Sequence, residues 1–465
     1  MRKELRSSAW LFALVSTIAL PAICFAQTPP SSEAPGAPSP DHIDTTAAAP
    51  ATQALSLADA ERAALAQQPQ IIAAHAQTNA ADARAREARS PLLPQVLGTA
   101  EYLRETGNFA PRPGAVPGAT AATSSSLTNS FNYWAFGVTA NQLIYDFGQT
   151  WGRYKSAEAT TEAQRAAEKA LRLQILFAVR HAYYNAWAQK ALVGVAKETL
   201  DDQERHLVQI RGFVLAGTNP EIDLAQGKTV VANAQVALIN AQNNYAVAKA
   251  QLNQAAGLFT QTQYDVGNEE PAPLTDEDAG LEALVRSAVA ARPELAQVEK
   301  QREAQEKTLR AAKGAYGPSL SATAGINENG VALDGLVPNW DVGILLSWPI
   351  FQGGLTKATV DEQSATLQYV ESQKNVELLQ IRLDVETARL AVRAAKSSIG
   401  AANEALTNGR EQLRLADARY ATGVGSIIEL NDAQVAYANA EAQVVQARFG
   451  LATARAQLLA ALGRT

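Results

Sequence analysis

Four short stretches of the chain alternate between apolar residues and polar or small residues. Residues 95–103 and 134–144 carry apolar side chains at every second position, and residues 319–327 and 340–350 repeat the pattern more regularly. Successive side chains of a β-strand point to opposite faces, so this period of two predicts four strands, each with one apolar and one polar face. A half-buried sheet would produce the same alternation.

Helical patterns surround the two strand pairs. Before the first pair, a helix is predicted over about 55–89, with Ser56 and Asp59 forming its N-terminal cap. After each pair comes a far longer pattern, at 148–215 and 354–421, about 68 residues each and roughly 100 Å long. A glycine-containing turn and a returning helix follow each long pattern. Helices of this length are typical of coiled coils.

This order of helix, two strands and long helical hairpin occurs twice, at nearly constant offsets. Pro69 and Pro94 correspond to Pro293 and Pro318, 224 residues later. From the second strand onward the offset is 206, as five pairs indicate: Ile144/Ile350, Thr150/Thr356, Gly217/Gly423, Leu224/Leu430 and Gly257/Gly463. The difference of 18 residues falls in the Pro/Gly/Ser/Thr-rich stretch 103–131, which predicts a long loop. The pattern indicates a duplicated architectural unit.

The duplication and the N-terminal composition predict five segments. They are a signal peptide at 1–26, a disordered Pro/Ala-rich linker at 27–53, a first repeat at 54–257, an inter-repeat equatorial segment at 258–279 and a second repeat at 280–463. The signal peptide has a basic start, a short apolar core and a small-residue cleavage site. It contains the one cysteine of the chain, Cys24, in a context that fits a lipoprotein signal poorly. The mature protein is therefore expected to lack disulfides and thiol chemistry.

Charge and motifs exclude several classes of function. The formal net charge is −6, and no dense Lys/Arg tract occurs, which argues against nucleic acid as a partner. The four histidines show no metal-ligand spacing, and no nucleophile motif or Gly-rich phosphate loop is present. The sequence therefore predicts neither an enzyme nor a cofactor. After the signal peptide, no apolar run is long enough to predict a membrane-spanning helix.

The four strands carry the functional prediction. Trp340 and Trp348 share one face and lie eight residues apart, roughly 26 Å in a strand, which is close to the height of the apolar band of an outer-membrane barrel. Four strands cannot close a barrel, and open sheet edges do not persist in lipid. Several chains must therefore share one barrel, which the helical hairpins continue as a tube for passage. The alternative is a periplasmic coiled-coil adaptor or structural protein, which needs no lipid-facing band.

Five segments carry a family resemblance: SPLLPQV and GAYGPSL before the strand pairs, NQLIYDFGQT and SWPIFQGGLT between strand and helix, and RYATGVGSIIELNDAQ at the second hairpin turn. With them the chain resembles the TolC-type outer-membrane efflux and secretion proteins over essentially 55–463. The resemblance implies a mixed α/β membrane protein. It would be a homotrimer whose twelve-stranded outer-membrane β-barrel, four strands per chain, continues as a long α-helical coiled-coil barrel in the periplasm.

The resemblance also implies partners. They are a periplasmic adaptor (membrane-fusion) protein, an inner-membrane efflux pump or ABC exporter, and outer-membrane lipid. Multidrug efflux, metal efflux and type I protein secretion all remain open as the transport task.

Near the second hairpin turn, the resemblance implies an acidic ring at the periplasmic entrance of the tunnel. The matching residues are Glu429 and Asp432, which are three positions apart and therefore on one helical face. Converging carboxylates favour cations. Two solvated acids in a first helical turn, favoured by the helix dipole, would look the same in sequence.

The resemblance further implies a latch that holds the closed state. Its matching pairs are Asp223 with Tyr420 and His206 with Asp417, and an arginine that completes the family network is replaced here by Gly425. The latch is therefore expected to be weaker or built differently. Pairing of His206 with an acid would strengthen on protonation, and an ordinary surface histidine is an equal alternative.

Two further sets of positions are expected to contact partners. The turns expected to dock the adaptor contain Gly217, Thr218, Gly423, Gly425 and Ser426. The expected aromatic belt at the membrane surfaces consists of Trp134, Trp340 and Trp348. The turns also serve as plain connections between antiparallel helices.

Overall fold

A computed structural model of the chain describes residues 54–106, 130–218, 220–259, 264–270 and 272–464. The predicted signal peptide and linker lie outside these residues, as does the centre of the loop predicted at 103–131. The two ends of that predicted loop belong to strands, because one strand continues to Thr106 and the next begins at Ser130.

The described elements follow the same order in the two halves of the chain. The helices are α1 (Leu57–Gln67), α2 (Pro69–Arg89), α3 (Gln149–Leu215), α4 (Glu221–Ala256), α5 (Leu281–Ala291), α6 (Pro293–Gly314), α7 (Leu355–Ala421) and α8 (Ile427–Ala461). The strands are β1 (Ala54–Leu55), β2 (Gln95–Thr106), β3 (Ser130–Tyr145), β4 (Asp265–Val266), β5 (Ser319–Gly330) and β6 (Val337–Ser347). The two long helices, α3 and α7, each contain 67 residues.

Four of the strands form one antiparallel sheet in the order β2, β3, β5, β6. Its register places Gly98 opposite Val138, Val138 opposite Ile326, and Ala324 opposite Val342. Residues directly opposite each other on neighbouring strands share a face, so the apolar positions align across all four strands. This confirms the alternation predicted from the sequence.

The last strand of this sheet begins and ends three residues earlier than predicted, at Val337 and Ser347. It ends at Ser347, so Trp348 and Ile350 lie beyond it. Pro349 has no backbone N–H to donate to a strand partner, which explains the early end. The indole Nε1 of Trp348 instead donates a hydrogen bond to the carbonyl oxygen of Tyr316 (3.1 Å).

Two prolines divide the shorter helices that precede the strand pairs. Pro69 begins α2 and Pro293 begins α6, and the preceding residues, Gln68 and Arg292, have extended backbones. Proline clashes with an α-helical residue before it and lacks the N–H that a helix interior requires. The single helix predicted over about 55–89 is therefore wrong, since two helices meet at Pro69.

Each long helix forms an antiparallel hairpin with the helix after it, α3 with α4 and α7 with α8. Near the sheet, α3 packs against α6, where the hydroxyls of Ser156 and Thr308 are 2.8 Å apart. Near the hairpin turns, α3 packs against α8, where Gln203 Nε2 donates to Gln434 Oε1 (2.8 Å). Because α3 begins four residues after β3 and rises about 1.5 Å per residue, the sheet and the turns lie at opposite ends of the long helices.

Between these ends, the segment linking the two repeats packs on the helices. The carboxylate of Glu277 is buried and accepts hydrogen bonds from Arg455 Nε (2.9 Å) and Arg455 Nη2 (3.1 Å). Lys396 Nζ lies 2.8 Å from the same carboxylate. Burial alone would raise the pKa of Glu277, but these hydrogen bonds outweigh it and lower the pKa to about 2. The buried charge cluster therefore ties the linking segment to α7 and α8.

A second, two-stranded sheet in the same region was not predicted. β1 pairs in parallel with β4, with Ala54 opposite Asp265 and Leu55 opposite Val266. Val266 is fully buried in a hydrophobic cluster with residues of α1, α3, α4 and α8. The pairing joins the start of the first repeat to the linking segment.

Candidate functional site

The apolar face of the four-stranded sheet is exposed to an extent unusual for a water-soluble protein. On β6, Trp340 is 77% exposed and Ile344 is 73% exposed, and Val342 between them is exposed as well. Val138 and Ile326 continue this surface on β3 and β5. A contiguous apolar surface on one face of a sheet marks an interaction with a membrane or a partner.

The opposite face of the sheet is largely polar. Thr99 and Asn327 lie on either side of Gly137 across three strands, and Asp341 lies opposite Gly325. Leu345 interrupts this polar surface and is also exposed. The alternation of lipid-facing apolar and lumen-facing polar residues is that of an outer-membrane strand.

Aromatic side chains cluster at both ends of the apolar face. Near the described ends of β2 and β3, the rings of Tyr102 and Trp134 are 4.4 Å apart. Trp340 lies opposite Ile326 toward the same end, while Trp348 follows the other end of β6. Trp151, at the start of α3, adds an exposed indole that the sequence reasoning missed. The position of Trp151 directly after the NQLIYDFGQT segment, where the strand passes into the helix, was the sequence signal for an aromatic residue at this border.

The sheet has two unclosed edges. β2 and β6 are its outer strands, and within the residues that the structure describes neither strand pairs on its outer side. An outer strand presents a row of N–H and C=O groups that can pair with another chain.

The two hairpin turns share one backbone geometry. Gly217 and Gly423 have φ angles of 74° and 75°, the left-handed region that favours glycine at a helix C-terminus. Leu215 and Val424 expose apolar side chains at the two turns. Thr218 is also exposed, and its hydroxyl donates a hydrogen bond to the carbonyl oxygen of Phe213 in the last turn of α3 (2.9 Å).

The two acids predicted at the entrance differ in their surroundings. Ser426 caps α8, because its Oγ accepts a hydrogen bond from the backbone N–H of Glu429 (3.1 Å). Glu429 Oε1 also lies 3.2 Å from Arg419 Nε, across the turn on α7. Asp432, one turn further along α8, is exposed. The sequence reasoning missed Arg419, although its place just before a tight turn put it within reach of the first turn of α8.

The four residues predicted to form a latch lie close to the same end of the helices. Tyr420 and Asp223 are both buried, and the ring of Tyr420 lies 6.1 Å from that of Phe213. His206 Nδ1 lies 3.9 Å from Asp417 Oδ1 within one chain. The structure therefore brings the second pair within ion-pair distance, should the histidine be protonated.

The described residues contain neither a metal-binding cluster nor a membrane-spanning helix. No cluster of three or more His, Cys, Asp or Glu side chains in the described part of the chain could hold a metal ion. Among the helices described, none combines the length and apolar character required to cross a membrane.

Comparison with protein families gives one match that covers both repeats. The family described as "outer membrane efflux protein" matches residues 61–258 and 284–464. These two ranges contain the sheet, the four long hairpin helices and both turns.

Individual relatives share between a quarter and a third of their aligned residues with this chain. The chain is 28% identical over 318 residues to the solvent efflux pump outer membrane protein SrpC of Pseudomonas putida, an alignment that spans 66% of this chain and 64% of that protein. The chain thus spans a little under two thirds of the length of that relative. It is 25% identical over 433 residues to the outer membrane protein TolC of Escherichia coli, spanning 89% of this chain and 83% of that protein.

A solved structure has the same fold. The crystal structure of CusC superposes with a TM-score of 0.76 at 19% identity and covers 94% of this chain and 99% of that one. At this identity the likeness concerns the fold.

Proposed function

Because the chain belongs to the outer membrane efflux protein family, we propose that it forms an outer-membrane channel for export from the cell. The observation that carries the proposal is the match of both repeats to this one family. The exposed apolar sheet face supports it independently, since an outer-membrane barrel needs a lipid-facing band and a periplasmic adaptor does not. The channel lies in the outer membrane and extends into the periplasm. Its relatives are transport channels, and we propose transport rather than catalysis.

The channel is a homotrimer in this proposal. Among the described residues, β2 and β6 have no strand partner on their outer sides, and unpaired backbone groups are not tolerated in lipid. Three chains of four strands each would close a twelve-stranded barrel by pairing β6 of one chain with β2 of the next. The exposed apolar face would then meet lipid, with Trp134, Trp340 and Trp348 at its aromatic borders.

The periplasmic end of the channel is proposed to dock its partners. An adaptor protein binds the two turns, at Gly217, Thr218, Gly423, Gly425 and Ser426. This is supported by the exposure of Leu215 and Val424 beside these residues. An inner-membrane efflux pump or ABC exporter supplies the energy and the substrate. The first relative is named for solvent efflux, so we place small molecules ahead of proteins as the exported class.

A latch near the turns is proposed to keep the channel closed at rest. Its residues are Asp223, Tyr420, His206 and Asp417. Burial of Tyr420 and Asp223 and the 3.9 Å approach of His206 to Asp417 support this assignment. The latch differs from the family pattern because Gly425 offers no side chain.

The proposed entrance is tested by cation block in planar lipid bilayers. Current through the purified channel is expected to be blocked from the periplasmic side by Mg²⁺ and more strongly by La³⁺, because multivalent cations bind converging carboxylates. The double variant Glu429→Ala/Asp432→Ala is expected to lose the block while still conducting. Glu411→Ala, which removes an exposed acid elsewhere on α7, is the matched control and is expected to keep it. Equal block in the double variant and the wild type would remove these two acids from the entrance.

A further inference from the structure

The second hairpin carries an ion pair across its turn. Arg419 is in the last turn of α7 and Glu429 is in the first turn of α8, and Arg419 Nε lies 3.2 Å from Glu429 Oε1. The pair faces solvent, with 56% and 42% of the two side chains exposed. It joins the end of one helix to an acid proposed to line the channel entrance.

Gly425 allows this turn to close on Arg419. The backbone N–H groups of Val424 and Gly425 both donate to the Arg419 carbonyl oxygen, at 3.0 and 2.9 Å. A Cβ atom at Gly425 would lie 3.0 Å from Arg419 Cβ and 3.0 Å from the backbone nitrogen of Tyr420. Those separations are tighter than most Cβ contacts, so a side chain at Gly425 would require Arg419 or Tyr420 to shift by a few tenths of an ångström. The guanidinium group beside Glu429 is that of Arg419 on α7.

The first repeat is an internal comparison for this ion pair. At the offset of 206 residues, Arg419 corresponds to Phe213 and Glu429 corresponds to Asp223. Phe213 cannot form an ion pair, and Asp223 is buried while Glu429 is partly exposed. The duplicated architecture therefore does not require a cation at this position, since the first hairpin has Phe213 there.

The other acid of the entrance has no such partner. Asp432 is exposed, and no Lys, Arg or His side chain of the described residues lies within ion-pair distance of its carboxylate. The two carboxylates, three residues apart on one helix, are thus electrostatically unequal.

We propose that Arg419 is a specificity-determining residue of the channel, which offsets the charge of Glu429 and leaves Asp432 as the uncompensated one of the two entrance acids in each chain. The proposal rests on the export channel proposed above. In a trimer the closed entrance then carries half of the negative charge that its six carboxylates would supply. Because a narrow, low-dielectric opening amplifies the effect of each fixed charge, Arg419 sets how strongly cations bind there.

The test compares the La³⁺ concentration that halves the current through wild-type and variant channels. Arg419→Ala is expected to lower this concentration roughly tenfold, because it uncovers a second carboxylate per chain, three residues from the first on the same helix. Arg419→Gln is expected to act in the same way, and Arg419→Lys to behave like the wild type. The double variant Arg419→Ala/Glu429→Ala also removes the newly uncovered acid. It is expected to restore the wild-type half-blocking concentration of La³⁺.

The control is Arg414→Ala, which removes an exposed arginine one and a half turns away that pairs with Glu411. It is expected to leave the half-blocking concentration unchanged. A structural defect caused by losing Arg419 would not be reversed by also removing Glu429, so the double variant separates the two explanations. Unchanged block in both Arg419→Ala and Arg419→Gln, in channels that conduct, overturns the inference and leaves the channel proposal standing. Absence of any wild-type conductance contradicts the channel proposal itself.

Discussion

Arginine in place of Ile344 is expected to prevent the protein from assembling in the outer membrane. Ile344 lies on the apolar face of β6, midway in sequence between Trp340 and Trp348, and is 73% exposed and opposite Ala322. A cationic side chain at the bilayer midplane of a barrel costs about 2–4 kcal/mol, and a trimer would incur that cost three times. The measurement is the amount of heat-modifiable oligomer in outer-membrane fractions on denaturing gels.

The matched control for this substitution is the next residue along the strand. Leu345 is 60% exposed, pairs with Ser321 and lies on the polar face. Leu345→Arg introduces the same side chain into a water-filled lumen, so it is expected to assemble at the wild-type level. Equal assembly of the two variants would mean that the apolar face does not meet lipid.

The substitution Glu277→Gln is expected to lower the stability of the folded protein strongly. This neutral replacement of similar shape removes the carboxylate charge that faces the Arg455 guanidinium, and the Arg455 side chain is only 11% exposed. Removing one member of a buried ion pair typically costs about 3–5 kcal/mol. The variant is therefore expected to unfold at a clearly lower midpoint temperature. The measurement is thermal unfolding of the detergent-purified protein, monitored by circular dichroism.

The neighbouring acid offers a control of the same chemistry. Asp278 also accepts hydrogen bonds from Lys396, but its side chain is 77% exposed. Exposed ion pairs contribute about 0–1 kcal/mol, so Asp278→Asn is expected to unfold close to the wild-type midpoint. A midpoint for Glu277→Gln as high as that of Asp278→Asn would show that the buried cluster does not hold the linking segment.

The same carboxylate predicts a dependence on pH. Its pKa is lowered from 4.5 to about 2 in the folded protein, so the folded state favours the ionised form. This contribution to stability is complete above about pH 4.5 and is lost as the pH falls toward 2. The stability difference between the wild type and Glu277→Gln is therefore expected to shrink over that range.

Local patterns predicted much of this fold. The period of two identified the apolar face of all four long strands, because burial in lipid requires every second residue to be apolar. The cap of the first helix is confirmed as well, with the Asp59 N–H donating to Ser56 Oγ (3.1 Å). The glycines of the turns located the ends of α3 and α7 to the residue. These features depend on neighbours in the chain, and the sequence displays them directly.

Features that depend on distant residues were not predicted. β1 and β4 are each two residues long, which is too short for a periodic pattern. They pair with each other although they lie more than 200 residues apart in the chain. Glu277 and Arg455 are 178 residues apart. Arg419 and Glu429 are near in sequence, but they meet only because the turn between them closes tightly. The break at Pro69 was an error of another kind, since the proline rule that explains it needs no structure.

In the proposed trimer, β2 of one chain pairs with β6 of the next to close the barrel. Thr99 on β2 and Gly343 on β6 both lie on the polar face, at opposite edges of the four-stranded sheet. A double variant, Thr99→Cys/Gly343→Cys, can be treated in outer-membrane fractions with a bismaleimide cross-linker that spans about two strand spacings, roughly 10 Å. The two single variants are the controls. They also show whether Cys24, in the predicted signal peptide, gives any cross-link of its own.

The double variant is expected to give covalent dimers and trimers on reducing, denaturing gels, and each single variant is expected to give single chains. Only single chains from the double variant, in fractions that contain the assembled protein, would contradict a barrel shared between subunits.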